Sequence, residues 1–187
     1  MADRAREAVR RQDALEKPLL LFFLFAAAGW VWEVVFVAIS AGRLVNRGFL
    51  HGPWLPVYGV GGLLFLLLAG RLRARSGTLF LLCALLGGAL EYGTSLWMEA
   101  IFHARWWDYA GWAWNLEGRV CLASAAAFGL AGWWLVRRAG PALCRALDRM
   151  PAGDRRRLCR CLCALFAADA AVSALLPNGG PGVSFPP

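Results

Sequence analysis

Four carboxylates, Glu33, Glu91, Glu99 and Asp169, fall inside stretches of the chain that are otherwise almost wholly apolar. An ionised acid at the centre of a bilayer costs roughly 3 kcal/mol even on insertion scales, so four such groups cannot all face lipid. They must face one another, a polar cavity or cationic partners. Glu91, Ser95, Glu99 and His103 recur every four residues, which sets them on one slowly drifting face of a helix. Such a stripe can pass protons or line a substrate path, with Glu99 and His103 sharing a proton. It can equally fix helix packing through internal hydrogen bonds. Asp169 and Ser173, again four apart, extend the same logic. The candidate substrate path is therefore Glu33, Glu91, Ser95, Glu99, His103 and Asp169, and the basic residues placed to pair with its acids are Arg43, Arg47, Arg105 and Arg119. Glu-x-x-x-His alone is a weak metal signal, and no metal or other cofactor is expected.

The elements that carry these residues follow from composition. Of 187 residues, 59% are apolar and 17% charged, too little polar surface to cover a globule. The chain reads as all-α: a polytopic transmembrane helix bundle of about five spans. A span needs about 20 apolar residues, and segments near that length run from about Pro18 to Ala41, Trp54 to Gly70, Thr78 to Phe102, Val120 to Val136 and Leu158 to Leu176. A cleaved signal peptide is the competing reading of the start, since Leu19 to Phe25 followed by Ala26-Ala27-Ala28 mimics one; the apolar run continues to Ile39, which suits an uncleaved anchor.

Charge sets the expected orientation. Arg4, Arg6, Arg10, Arg11 and Lys17 precede the first span, Arg71, Arg73 and Arg75 fill one turn, and eight Arg residues lie in 137–160, which leaves only Arg43, Arg47, Arg105 and Arg119 for the other side. Under the positive-inside rule, residues 1–17 form a cytoplasmic arm, and residues 18–176 form the transmembrane domain with its basic segment 137–157 also cytoplasmic. The Pro/Gly-rich tail 177–187 is expected outside and disordered. The setting that fits is a bacterial plasma membrane. The +8 charge lies beside the apolar runs rather than along one soluble face, which excludes nucleic acid as a partner. Leu143, Leu147 and Met150 predict a short amphipathic helix ended by Pro151. The six Cys residues, Cys159, Cys161 and Cys163 among them, show no repeated metal spacing and are expected to be reduced.

Two connections are too specific in composition to be plain turns. Between the first two spans, GRLVNRGFLHGPWLPVYGVGG holds Asn46, Arg47, Gly48, Gly52, Pro53 and Tyr58; its glycines and prolines predict a structured or re-entrant loop rather than a helix. Between the third and fourth, HARWWDYAGWAWNLEGR supplies Arg105, Trp106, Trp107, Asp108, Tyr109, Asn115, Gly118 and Arg119. Interfacial Trp belts explain several of its rings. Arg105 and Asp108 around Trp106-Trp107 instead suggest an ion pair or a cation-π arrangement. Each loop follows a helix with an acid and carries Asn and Gly, so an internal parallel duplication is a further expectation.

Taken together, Gly29-Trp30 with Glu33, Asn46-Arg47-Gly48, Gly52-Pro53, Pro56-Val-Tyr58-Gly59, Glu91, Ser95, Met98-Glu99, Arg105-Trp106-Trp107-Asp108-Tyr109 and Asn115 with Gly118-Arg119-Val-Cys121-Leu122 resemble the bacterial family named putative ABC-transporter type IV, or CmpB-like. The resemblance covers roughly residues 20 to 175. It implies a permease-like subunit of an ABC-type transporter in the inner membrane. No GxxxxGK[ST] loop occurs, so ATP hydrolysis would come from a separate ATPase subunit. Five spans are few for a complete pathway, which suggests a homo-oligomer or a paired partner in the bilayer. Two alternatives stand beside transport: a membrane-embedded enzyme acting on a lipid-linked substrate, with Glu99, His103 and Asp108 as acid-base groups, and a non-catalytic scaffold or sensor binding through the second loop. A transport or binding role is favoured over catalysis.

Overall fold

Apolar runs of span length fold as helices because lipid offers no partner to a backbone N–H or C=O. The computed structural model describes residues 2–69 and 75–179. In chain order the elements are α1 (Ala2–Ala41), α2 (Pro56–Leu64), α3 (Ser76–Phe102), the two-residue strands β1 (Asn115–Leu116) and β2 (Val120–Cys121), α4 (Leu122–Trp134), α5 (Gly140–Arg149) and α6 (Ala152–Leu175). Among the described residues, three helices are long and apolar enough to cross a membrane: α1 over Leu15–Ser40, α3 and α6. The second and fourth segments are shorter, and each continues as a π-helical stretch, Phe65–Ala69 after α2 and Leu135–Ala139 after α4. The basic arm continues directly into α1, whose helix begins at Ala2. Arg71, Arg73 and residues 180–187 lie outside the described residues.

The helical hairpins α1–α2 and α3–α4 are built alike. In the first, Gly59 and Gly62 of α2 lie against Phe22 and Phe25 of α1, while Gly29 of α1 lies against Tyr58. In the second, Gly129 and Gly132 of α4 lie against Phe80 and Cys83 of α3, while Gly87 of α3 lies against Phe128. The two sets correspond at one constant spacing for the first helices and another for the second, and Glu33 and Glu91 follow Gly29 and Gly87 four residues on. A side chain at any of these glycines would overlap the facing residue, so the helices approach this closely only without a Cβ. The core where the hairpins meet repeats the pattern: Leu21, Phe25 and Phe65 come from one, Leu79, Cys83 and Leu135 from the other. The likeness expected from the polar loops is carried more fully by the helices.

Residues 42–55 form an irregular loop that re-enters along α1. Leu55 N–H donates to the Ala26 carbonyl at 3.0 Å, roughly 20 Å short of the Ser40 end of the helix at 1.5 Å per residue. Backbone at that depth needs internal partners, and Asp169 of α6 supplies them. Its Oδ1 accepts the His51 N–H at 3.1 Å, and its Oδ2 accepts the Gly52 N–H at 2.9 Å and the Trp54 indole at 2.6 Å. Around this cap, Leu50 and Trp54 pack with Phe23 and Ala26 of α1 and Phe166 of α6. At the opposite end of the bundle the carboxylate of Glu16, 5% exposed, accepts from Arg155 at 3.0 Å and Arg156 at 3.1 Å, joining α1 to α6. Lys17 pairs with Asp148 of α5, whose Leu143 and Leu147 cover the core as the amphipathic spacing predicts.

Candidate functional site: a polar cavity between the two hairpins

The helix stripe, the re-entrant loop and the second loop meet around a cavity of about 50 Å³. Glu33, Arg47, Tyr58, Glu91, Trp106, Trp107 and Tyr109 line it, with Phe128 and residues of the loop before α2. The repeat explains why two acids arrive there. Glu33 and Glu91 occupy equivalent positions on α1 and α3, and Tyr58 and Phe128, equivalent on α2 and α4, face each other with ring centroids 5.6 Å apart.

The two acids have different partners. Glu33 accepts the Tyr58 hydroxyl at 2.6 Å and lies 3.5 Å from Arg47 Nε. Arg47 also donates to the Trp106 carbonyl at 3.3 Å, tying the re-entrant loop to the second one. Glu91, 7% exposed, accepts the Tyr109 hydroxyl on Oε1 and the Ser124 hydroxyl on Oε2, both at 2.8 Å. Among the described residues no Arg or Lys pairs with it. Burial, then the neighbouring Glu91 carboxylate, push the Tyr109 phenol well above its ordinary range, so it remains an O–H donor.

The roof of the cavity is loop 103–121, and its sequence dictates its shape. α3 stops at His103, which takes a left-handed φ of 51° while its N–H returns to the Glu99 carbonyl at 2.9 Å. Leu116 to Arg119 form a turn closed by the Arg119 N–H on the Leu116 carbonyl at 3.0 Å, with positive φ at both central residues, Glu117 and Gly118, and the pairing of Leu116 with Val120 makes a three-residue hairpin loop. A Cβ at Gly118 would collide with Asp108 Oδ1, which caps the Ala110 N–H at 2.9 Å. Asn115 accepts from Gly118 N–H at 2.9 Å and donates to the Trp112 carbonyl at 2.8 Å. β2 then ends in a capping box, Ser124 N–H to Cys121 Sγ and Cys121 N–H to Ser124 Oγ, which starts α4 and aims Ser124 at Glu91. That hairpin is why the fourth helix begins at Leu122 rather than Val120.

Arg119 anchors the roof to α3. Its side chain, 9% exposed, pairs with Glu99, donates to Ser95 Oγ at 3.2 Å and reaches Glu117 at 3.4 Å, while Arg105 Nε donates to Glu99 at 3.0 Å. Burial opposes the Arg119 charge, and the Glu99 and Glu117 carboxylates outweigh it, holding the guanidinium above its ordinary value. Trp107 Nε1 donates to the Arg119 carbonyl at 2.9 Å. The buried Trp106 reaches the Asn178 carbonyl at 3.2 Å, and Asn178 Nδ2 donates to the carbonyls of Asn46 at 3.3 Å and Gly48 at 3.0 Å. Asn46 in turn accepts the Trp30 indole at 2.7 Å.

Of the sequence-derived candidates, the structure therefore brings Glu33, Arg47, Gly48, Tyr58, Glu91, Trp106, Trp107 and Tyr109 to one cavity. Ser95, Glu99, Arg105 and Arg119 form the adjacent ion-pair cluster. Asn115, Gly118 and Asp108 shape the roof, and His103 is an exposed helix end. Asp169 and Gly52 belong to the loop anchor, with Pro53 exposed beside them. Sequence reasoning missed Ser124, whose signal was its place three residues after a strand-end Cys121. It also missed Trp54 and His51, which supply donors to Asp169, and Asn178, the first polar residue after α6.

Fold and site define a helical membrane protein with a polar cavity between two repeated hairpins. A family model described as Putative ABC-transporter type IV matches residues 20–174, and the chain belongs to that family. No curated protein and no solved structure matches it.

Proposed function

We propose that this chain is the membrane-spanning subunit of an ABC-type permease in a bacterial plasma membrane. In this reading residues 1–17 and 137–157 face the cytoplasm, loop 103–121 faces outside, and a separate ATPase supplies the energy. The observation that carries it is the convergence of Glu33 and Glu91, one from each repeated hairpin, on a single polar cavity beneath that loop. Buried acids that face a shared cavity rather than lipid are the usual mark of a solute or ion path. Family membership supports the same reading. The test is purification of the tagged chain from its native membrane. The expected result is a nucleotide-hydrolysing subunit recovered in constant ratio, with an ATPase rate that Glu91→Gln lowers at least about tenfold; recovery with no ATPase would overturn the reading. A scaffold role draws on one observation, the 83% exposure of Trp114 in that loop. A photo-crosslinker at Trp114 that trapped one envelope protein, without an ATPase partner, would favour it.

A further inference from the structure

We propose that the cavity binds one small alkylammonium cation, with Glu91 as its counter-charge and the rings of Trp106, Trp107 and Tyr109 as its walls, and that binding releases one proton. The proposal rests on the permease reading only for its suggestion that this cation is the transported substrate.

Charge matching comes first. Every group facing Glu91 can be named: Glu33 from α1, Arg47 from the re-entrant loop, Tyr58 from α2, Tyr109 from the roof, and Ser124 with Cys121 at the start of α4. Arg47 is matched by Glu33, 3.5 Å away, and the others are neutral donors. One carboxylate, 7% exposed, is thus left without a positive partner, and either a proton or a cation must balance it.

The hydrogen bonds provide for both states. Ser124 Oγ lies 2.8 Å from Glu91 Oε2 and 2.9 Å from the Cys121 carbonyl, and it also accepts the Cys121 N–H at 3.1 Å. A hydroxyl has one hydrogen, so it cannot donate to both acceptors. With Glu91 protonated, Glu91 Oε2–H donates to Ser124 Oγ while Ser124 donates to the Cys121 carbonyl, and every group is satisfied. With Glu91 ionised, Ser124 rotates its hydrogen onto Oε2. Cation entry and proton loss to water therefore leave the net charge of the cavity unchanged.

Size and walls select the cation. A cavity of roughly 150 Å³ accommodates benzene, so about 50 Å³ admits only a few heavy atoms. Aromatic rings in the lining attract a desolvated ammonium group through their quadrupoles. The oxygens present, already engaged by hydroxyl donors, are too few to replace the hydration shell of a hard metal ion.

The test is a titration of the purified protein in lipid nanodiscs with methylammonium chloride, followed by tryptophan fluorescence, with sodium chloride as the ionic-strength control. The expected response is saturable and specific to methylammonium, and it tightens with rising pH by up to about tenfold per unit while Glu91 is protonated. Glu91→Gln should abolish it and His103→Ala should leave it intact. If Glu91→Gln does not fold, Glu91→Asp should bind at least about tenfold more weakly with the pH slope preserved. No saturable response, an equal response to sodium chloride, or a response unchanged in the Glu91 variant overturns the proposal. Absence of an ATPase partner would sink the permease reading and leave this binding result standing.

Discussion

The hairpins α1–α2 and α3–α4 share a scaffold and differ in what they do with it. Both bring helices together over matched glycines, both place an acid four residues beyond the first glycine, and both end the second helix in a π-helical stretch. Yet the acid of the first is matched by Arg47, whereas that of the second has only Tyr109 and Ser124. Both arginines of the second loop, Arg105 and Arg119, are turned away to Glu99, and Arg119 also to Ser95. The shared scaffold fixes where the acids stand, and the two loops decide which of them has a counter-charge. That asymmetry gives the cavity one unmatched carboxylate instead of two or none.

The comparison breaks most visibly at the arginines. Arg119→Ala leaves Ser95 without its donor and Glu99 with Arg105 alone, and it releases the roof, so it should lower stability more than any other loop substitution. Arg47→Ala, removing one longer ion pair and one carbonyl bond from a more exposed side chain, should cost less. Thermal unfolding of both variants in the same detergent checks the order; equal losses would mean that the loops contribute alike. Next in size are the glycines. Gly29→Val and Gly87→Val each insert atoms into a facing ring, and overpacking of this kind costs about 1–3 kcal/mol. Similar losses in both sharpen the repeat, and tolerance of either one shows that only the other hairpin depends on close approach.

Much of this was legible in the sequence, for reasons that differ by feature. Lipid demands long apolar helices, so the segments containing α1, α3 and α6 were visible from composition, and the glycines and prolines of 42–55 announced an irregular loop. The depth of that loop was not visible, because it is set by tertiary bonds from Leu55 to Ala26 and from Asp169 to His51, Gly52 and Trp54. Pairing of buried acids with the out-of-pattern arginines was expected for all four acids and is found for Glu33 and Glu99. Asp169 takes backbone and indole donors instead, since the loop delivers them within reach. Glu91 takes Ser124, whose orientation depends on a capping box that exists only once β2 has formed. The repeat was sought in the polar loops, where insertions blur it, while its clearest trace lies in glycines whose roles emerge only when the facing rings are known.

The most direct test of the central claim, that Glu91, unlike Glu33 and Glu99, meets the cavity without a cationic partner, is infrared difference spectroscopy of the carboxylic-acid C=O band across a pH step. One protonated carboxyl is expected in the membrane domain, with its band lost in Glu91→Gln and kept in Glu33→Gln, Glu99→Gln and Asp169→Asn, since the four donors around Asp169 suit its ionised form. A band that persists in Glu91→Gln and disappears in Glu33→Gln would contradict it.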